Sequence, residues 1–118
     1  MPRDRPDPSR YLPLRPDVFA ILLILLDGDA HGYAILKASA DRGDGRGPLQ
    51  PGVLYRFLRQ MRQEGLVSEV GAPGRSGRQD ERRRYYRVTP LGRQVARAEA
   101  QRMASLLNRS RHHRLLAD

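Results

Sequence analysis

The hydrophobic pattern opens with a continuous apolar run. The run VFAILLILLD follows Pro16, a residue suited to the first turn of a helix, and stops before Gly28. Because it is apolar on every side, we expect a helix that is buried all round. After a short turn at 28–30, residues 31–42 predict a second, shorter helix that ends at Gly43. The residues predicted to share its inward side are Tyr33, Ile35, Leu36 and Ala40.

A third, amphipathic segment follows a loop rich in glycine and proline. The loop is RGDGRGPLQPG, and its Gln50-Pro51 step resembles a helix cap followed by proline in the first turn. From Pro51 to Glu64 the pattern predicts a helix with one face buried and the other free to bind a partner. The buried positions, at i, i+3, i+4 and i+7, are Leu54, Phe57, Leu58 and Met61, and the opposite positions are Arg56, Arg59, Gln60 and Gln63.

Two strand-like runs come next. Gly65 stops the third helix, Leu66 to Val70 alternates as strands do, and the run RRRYYRVT alternates again after the glycine-rich stretch GAPGRSGRQDE. These segments predict a β-hairpin with a long tip. In the second strand, Tyr85 and Tyr86 should point to opposite faces, one inward and one outward.

A long polar helix should close the chain. Thr89 and Pro90 resemble an N-cap and a first helical residue, and the helix should end near His112 and His113. It carries an apolar stripe that a domain of this size cannot cover, so we expect a second copy of the chain to cover it. The residues predicted to form this dimer contact are Leu91, Val95, Ala96, Ala100, Met103, Leu106 and Leu107.

Three short helices followed by a hairpin describe a winged helix-turn-helix, in which the third helix enters the major groove of DNA and the hairpin, or wing, reaches the flanking backbone. The predicted fold class is mainly α with a small β-hairpin, an α+β arrangement, completed by a C-terminal dimerisation helix. We expect a disordered or loosely attached basic arm over 1–14, the winged helix over 15–88, the dimerisation helix over 89–113 and a tail over 114–118.

Charge narrows the class of partner. The chain has 22 basic and 13 acidic residues, a formal net charge of +9, so it should attract nucleic acid first and an anionic membrane second. The basic residues are arginines except for Lys37. Arginine makes paired hydrogen bonds to phosphates and to guanine edges, which suits DNA binding. A bias toward GC-rich codons would give the same excess of arginine. The absence of cysteine leaves the redox compartment open. The sequence has no pattern of a signal peptide and no apolar run long enough to span a bilayer, so we expect a cytoplasmic protein.

Motifs of enzymes are missing from the sequence. There is no cysteine nucleophile, no GxSxG, no HExxH and no pair of carboxylates at helical spacing in an apolar setting, so we expect neither catalysis nor a cofactor. His112 and His113 are neighbours that a helix points about 100° apart, which does not suit a shared metal. We interpret His31 and Tyr33 as structural residues that cap and fill the second helix.

Three segments, in the same order along the chain, resemble the PadR-type transcriptional regulators. They are ILLILLDGDAHGYAIL at 21–36, LQPGVLYRFLRQMRQEGLV at 49–67 and RRYYRVTPLGRQ at 83–94. The resemblance implies a winged-helix domain and a single C-terminal helix that makes a homodimer, as in the short branch of that family. One departure is Val53, where many relatives carry threonine or serine; an apolar side chain there suits a thymine methyl rather than a hydrogen bond.

The fold and the resemblance together predict a sequence-specific regulator of double-stranded DNA, acting on a palindromic operator, with no membrane role. The predicted DNA-binding residues are Gln50, Pro51, Val53, Tyr55, Arg56, Arg59, Gln60, Arg75 and Arg78. Tyr55 could instead pack against the neighbouring helix. The arginines could instead be surface charges that contact only solvent. A sequence-neutral nucleoid-type or RNA-binding protein would share the charge. A small hydrophobic or aromatic effector, with Tyr11 and Phe19 among its lining, is a further hypothesis.

Overall fold

The first three helices follow the order that the hydrophobic pattern predicted. The computed structural model describes residues 6–42, 45–71 and 84–116. Within these, α1 is Pro16–Leu26, α2 is Gly32–Ser39 and α3 is Pro51–Gln63. Both α1 and α3 carry proline in the first turn, where the missing N–H costs no hydrogen bond. The predicted fold class, mainly helical with a small sheet, is confirmed.

Helix α1 supplies the centre of the core but is not buried on all sides. Ile21, Leu22 and Leu25 are almost fully enclosed, whereas Leu23 is 46% exposed. The expectation of burial all round is therefore wrong on one side. That side faces a shallow cleft whose lining includes Phe19 and Met103.

Helix α2 is shorter than predicted, and its inward face is narrower. His31 caps it, since its Nδ1 accepts the N–H of Ala34 at 3.1 Å. Ile35 is fully buried, but Tyr33 is 59% exposed and Ala40 is also exposed, so the prediction that these two face inward is wrong. The reason is that eight residues make barely two turns, which allows a narrow buried stripe. The predicted stop at Gly43 lies outside the described residues.

The sheet has three strands rather than the predicted two. Strand β1 is Ala30–His31, β2 is Val67–Val70 and β3 is Tyr85–Val88, in the antiparallel order β1-β3-β2. The prediction that Tyr85 and Tyr86 are divided between core and solvent is wrong, because both are buried. Strand β3 is central, and the ring of His31 on β1 meets Tyr85 edge-on, with 5.2 Å between the ring centres. A two-residue strand is too short to leave an alternating pattern, so the sequence did not predict β1.

Helix α4, Pro90–His112, starts directly after β3 and is held at its first turn. The hydroxyl oxygen of Thr89 accepts the N–H of Gly92 at 3.0 Å, which confirms the predicted N-cap. The same hydroxyl donates to the carbonyl of Gly65, two residues after α3, and the Thr89 N–H donates to the carbonyl of Leu66. One residue thus joins the end of α3, the hairpin and the start of α4.

The described part of the N-terminal arm is attached to the body. Residues Pro8–Tyr11 form one 3-10 turn, and the Leu14 N–H donates to Oε2 of Glu99 on α4 at 3.2 Å. Glu99 is 2% exposed and also accepts two hydrogen bonds from Arg102. These bonds lower the pKa of Glu99, that from Arg102 most, against the opposing effect of burial. Residues 6–14 therefore differ from the expected loose arm, because the hydrogen bond from the Leu14 N–H to the buried Glu99 carboxylate attaches them to α4.

Candidate nucleic-acid interface

Helix α3 separates its side chains into two faces, as the pattern predicted. Leu54, Leu58 and Met61 are enclosed in the core, and Phe57 is buried beside them. Directly opposite, Arg56 and Arg59 are exposed. The buried face fixes the helix in place, and the exposed face presents two guanidinium groups to solvent.

The start of α3 is open. Gln50 is the N-cap residue in extended conformation, Pro51 is the first helical residue, and both are exposed. Val53 is half-buried and packs against the edge of the core. The first turn thus offers its backbone and the Gln50 side chain to a partner, with Val53 contributing only part of its surface.

Tyr55 occupies one flank of α3, beside α2. It is 45% exposed, and its ring passes so close to Gly32 that a Cβ there would overlap the ring and its hydroxyl. The alternative of packing against the neighbouring helix therefore describes part of the side chain, and the exposed part remains accessible. Gln60, also exposed, lies on the other flank and lines a cavity of about 330 Å³ together with Arg15 and Tyr11 of the N-terminal segment.

A cleft of about 130 Å³ lies between α3 and the base of the hairpin. Two residues of its lining, Tyr55 and Arg59, were predicted from the sequence to bind DNA, whereas Arg62 and Arg84 were not singled out. The lining consists of Tyr55, Leu58, Arg59, Arg62, Arg84 and Tyr86. Beside it, Glu69 of β2 forms an ion pair with Arg62 at 2.8 Å and approaches Arg84 at 3.7 Å.

Tyr86 responds to these charges. It is 6% exposed and lies opposite Glu69 in the β2-β3 register. Burial raises the pKa of its hydroxyl above the ordinary value, and the negative charge of Glu69 raises it further, while Arg84 and Arg62 act in the opposite direction. Tyr86 therefore stays protonated at neutral pH and keeps its O–H as a donor.

The other wing residues predicted to bind DNA, Arg75 and Arg78, lie outside the described residues. At the other end of the hairpin, Arg87 makes a bidentate pair with Asp29, with its closest contact at 2.7 Å. This pair raises the pKa of Arg87, chiefly through the hydrogen bonds to Asp29. It ties β3 to the turn before α2.

The predicted dimer stripe on α4 is divided by the structure. Val95 and Ala96 are enclosed in the core of the single chain, so they are not available to a partner, and Leu91 is half-buried against that core. Ala100, Met103, Leu106 and Leu107 are exposed. The first third of the stripe thus holds α4 on its own domain, and the rest remains uncovered.

The two aromatic residues predicted to line an effector site do not share a cavity. Phe19 lines a mainly apolar cleft of about 340 Å³ with Leu23 and Met103, whereas Tyr11 lines the separate cavity beside Gln60. Within the ranges 6–42, 45–71 and 84–116, no three His, Asp or Glu side chains are grouped as a metal site would require. In the same ranges, no helix has the length and apolar character needed to cross a membrane.

Comparison with known proteins places this geometry in a family. A model of the PadR-like family of transcriptional regulators matches residues 21–98. An uncharacterised 37.1 kDa protein in transposon TN4556 of Streptomyces fradiae is 36% identical over 89 residues, which are 75% of this chain but 23% of that protein. The chain thus spans less than a quarter of the length of this curated relative.

Solved structures agree on the fold. A PadR family transcription regulator from Clostridium difficile R20291 superposes with a TM-score of 0.69 at 24% identity, covering 81% of this chain and 95% of that one. Bacillus subtilis PadR, solved in complex with operator DNA, superposes with a TM-score of 0.60 at 23% identity, covering 73% of this chain and 46% of that one. Since the family model spans well over half of the chain, from α1 into α4, the chain belongs to the PadR-like family of transcriptional regulators.

Proposed function

We propose that this chain binds double-stranded DNA in a sequence-specific manner and regulates transcription as a homodimeric repressor in the cytoplasm. The observation that carries the proposal is the division of α3 into an enclosed apolar face and an exposed face that bears Arg56 and Arg59. A rigid helix with basic side chains on its free side has the form that a major groove accepts.

Each part of the exposed surface has a role in this proposal. Arg56 hydrogen-bonds to a base edge, with guanine the base that suits an arginine fork, and Arg59 contacts the DNA beside it. Gln50, Pro51 and Tyr55 contact the backbone at the start of α3, and Val53 meets a thymine methyl with its free surface. Gln60 lies at the edge of this contact. Arg75 and Arg78 extend it along the flanking backbone or minor groove. That Bacillus subtilis PadR was solved with operator DNA supports this use of the fold.

A second copy of the chain covers the exposed part of α4. Met103, Leu106 and Leu107 are large apolar side chains on a helix that extends away from the core, and leaving them in water is unfavourable. Two-fold pairing would set two α3 helices about 34 Å apart, one turn of DNA. The operator is therefore expected to be a palindrome with that spacing.

A small hydrophobic or aromatic effector would act at the apolar cleft beside Phe19. The cleft volume of about 340 Å³ falls at the lower end of the ~300 to 1,000 Å³ range of small-molecule sites. It adjoins Met103 of the proposed dimer surface, so an occupant would bias the distance between the two reading helices. Unchanged operator affinity across a panel of hydrophobic aromatic compounds would count against this role.

The test compares duplexes at physiological salt. The purified protein should bind a fragment from the region upstream of its own gene at least about 10³-fold more tightly than a random duplex of equal length. Equal affinity for the two, and for RNA, would instead indicate a sequence-neutral nucleic-acid binder.

A further inference from the structure

The cleft between α3 and the hairpin combines positive charge with the side chain of a largely buried tyrosine. Arg59 and Arg62 line it from successive turns of α3, and Arg84 lines it from the position just before β3. Tyr86 forms part of its wall. Arg59 makes no ion pair with any residue in the described ranges. Glu69 is the one acidic side chain that pairs with the described arginines of this cleft.

The size of the cleft restricts its occupant. At about 130 Å³ it is well below the ~300 to 1,000 Å³ of small-molecule sites, so it admits a group of a few heavy atoms. Arginine side chains match the planar pairs of oxygens on a phosphate, and a protonated tyrosine adds a single O–H donor. A phosphodiester group of duplex DNA is small enough for the cleft, and its oxygens accept hydrogen bonds from arginine and tyrosine.

We propose that this cleft seats one backbone phosphate of DNA, and that Glu69 competes with the phosphate for Arg62 and Arg84. The inference rests on the proposed function, since its ligand is the DNA that α3 reads. In the free protein Glu69 holds the Arg62 guanidinium at 2.8 Å. A phosphate that enters the cleft must displace the Glu69 carboxylate from Arg62 or share the guanidinium with it. Sharing is unfavourable because the phosphate and the carboxylate are both negatively charged.

The competition has a consequence for specificity. Phosphate contacts are the same in every sequence, so a full-strength phosphate seat would raise affinity for all DNA alike. Glu69 weakens this sequence-independent contribution and leaves base reading by Arg56 unaffected. Glu69 thereby weakens the binding of the protein to DNA that lacks the operator sequence.

The experiment uses Glu69→Gln, which keeps the shape of the side chain and removes its charge. Affinity for the upstream fragment and for a random duplex should rise by a similar factor, about two- to tenfold at low salt, and fall more steeply as salt increases. The matched control is Glu64→Gln at the end of α3. It makes the same change in net charge, and Glu64 is exposed, lines the cavity on the other flank and pairs with no arginine in the described ranges.

Further substitutions locate the effect. In a Glu69→Gln background, replacing both Arg62 and Arg84 by alanine should abolish the gain for both duplexes, because neither guanidinium that Glu69 pairs with is then present. Arg84→Ala alone tests the same seat if Glu69→Gln does not fold, and should weaken both duplexes alike and reduce the salt slope by about one. The inference is overturned if Glu69→Gln binds no more tightly than Glu64→Gln, or if the gain survives the loss of both Arg62 and Arg84.

These outcomes are separate from a failure of the proposed function. Sequence specificity is measured by the ratio of the two duplexes for the wild-type protein, whereas the phosphate seat is measured by the ratio of variant to wild type for each duplex. A protein without sequence preference whose affinity still rises on Glu69→Gln would refute the regulator and retain the seat.

Discussion

Tyr55 of α3 lies directly over Gly32, the first residue of α2. A Cβ built on Gly32 would stand 2.7 Å from the Tyr55 Cζ, closer than side-chain atoms approach one another. The two residues belong to the HGY and PGVLY segments, which are more than twenty positions apart in sequence. Their contact sets the distance between α2 and α3, so the glycine fixes where Tyr55 can lie.

Gly32→Ala should destabilise the protein by about 1 to 3 kcal/mol, because the methyl group overpacks against the ring. Urea unfolding measures the change. Gly52→Ala is the matched control, since Gly52 also lies in the first turn of a helix and a Cβ there meets nothing within 4 Å. If the ring causes the cost, that cost should shrink in a Tyr55→Ala background.

Arg56→Ala should weaken binding to the upstream fragment by about 1 to 3 kcal/mol and relax the choice of one base pair. Affinity for a random duplex should change much less, because the lost contact is to a base and not to phosphate. A fluorescence titration with both duplexes measures this. Arg97→Ala, an equal loss of charge at an exposed position of α4, should reproduce neither effect.

Glu99→Gln should lower the free energy of unfolding by about 1 to 3 kcal/mol at neutral pH, because the charged hydrogen bonds to Arg102 and the acceptor for Leu14 are weakened. Amide hydrogen exchange over residues 6–14 should also become faster. Asp41→Asn, at an exposed position after α2, provides the control and should leave that exchange unchanged.

The same carboxylate makes stability depend on pH. The pKa of Glu99 is lowered in the folded protein, so its contribution is fully present above the unfolded value of about 4.3 and is lost as the pH falls through the folded value. Unfolding curves of wild type and Glu99→Gln should therefore converge in acid. A difference that stays constant from neutral pH into acid would contradict this origin.

Leu107→Asp should shift the protein toward monomer, because it places a charge in the apolar surface that the partner is proposed to cover. Sedimentation at micromolar concentration measures the shift. Ser105→Asp introduces the same charge on the opposite side of α4 and should leave the oligomeric state unchanged. A wild-type protein that sediments as a monomer would refute the dimer itself.

The sequence predicted those elements that are long enough to show a period. Helix α3 could be assigned with both of its faces, because Leu54, Phe57, Leu58 and Met61 repeat over two turns. Thr89 was identified as a cap from its position alone, since capping depends on local chemistry. Local rules of this kind need no knowledge of the rest of the fold.

The sequence did not predict features that depend on contacts between distant segments. Tyr86 is buried in the main core, and Tyr85 is buried beside the His31 ring of β1, which is far away in the chain. Tyr33 is exposed although its neighbours are apolar, and Val95 faces its own core rather than a partner. The pairing of Glu69 with Arg62 and Arg84 likewise brings together three segments whose spacing carries no signal.

The bonds of Thr89 leave no flexible linker between the long helix and the reading surface. Helix α4 has 23 residues and is therefore about 35 Å long, and at its near end the Thr89 side chain is hydrogen-bonded to Gly65, two residues after α3. If the far end of α4 moves, this connection transmits the movement to α3, because no flexible segment lies between the two helices. A movement remote from α3 would then change the orientation of the side chains that are proposed to contact DNA.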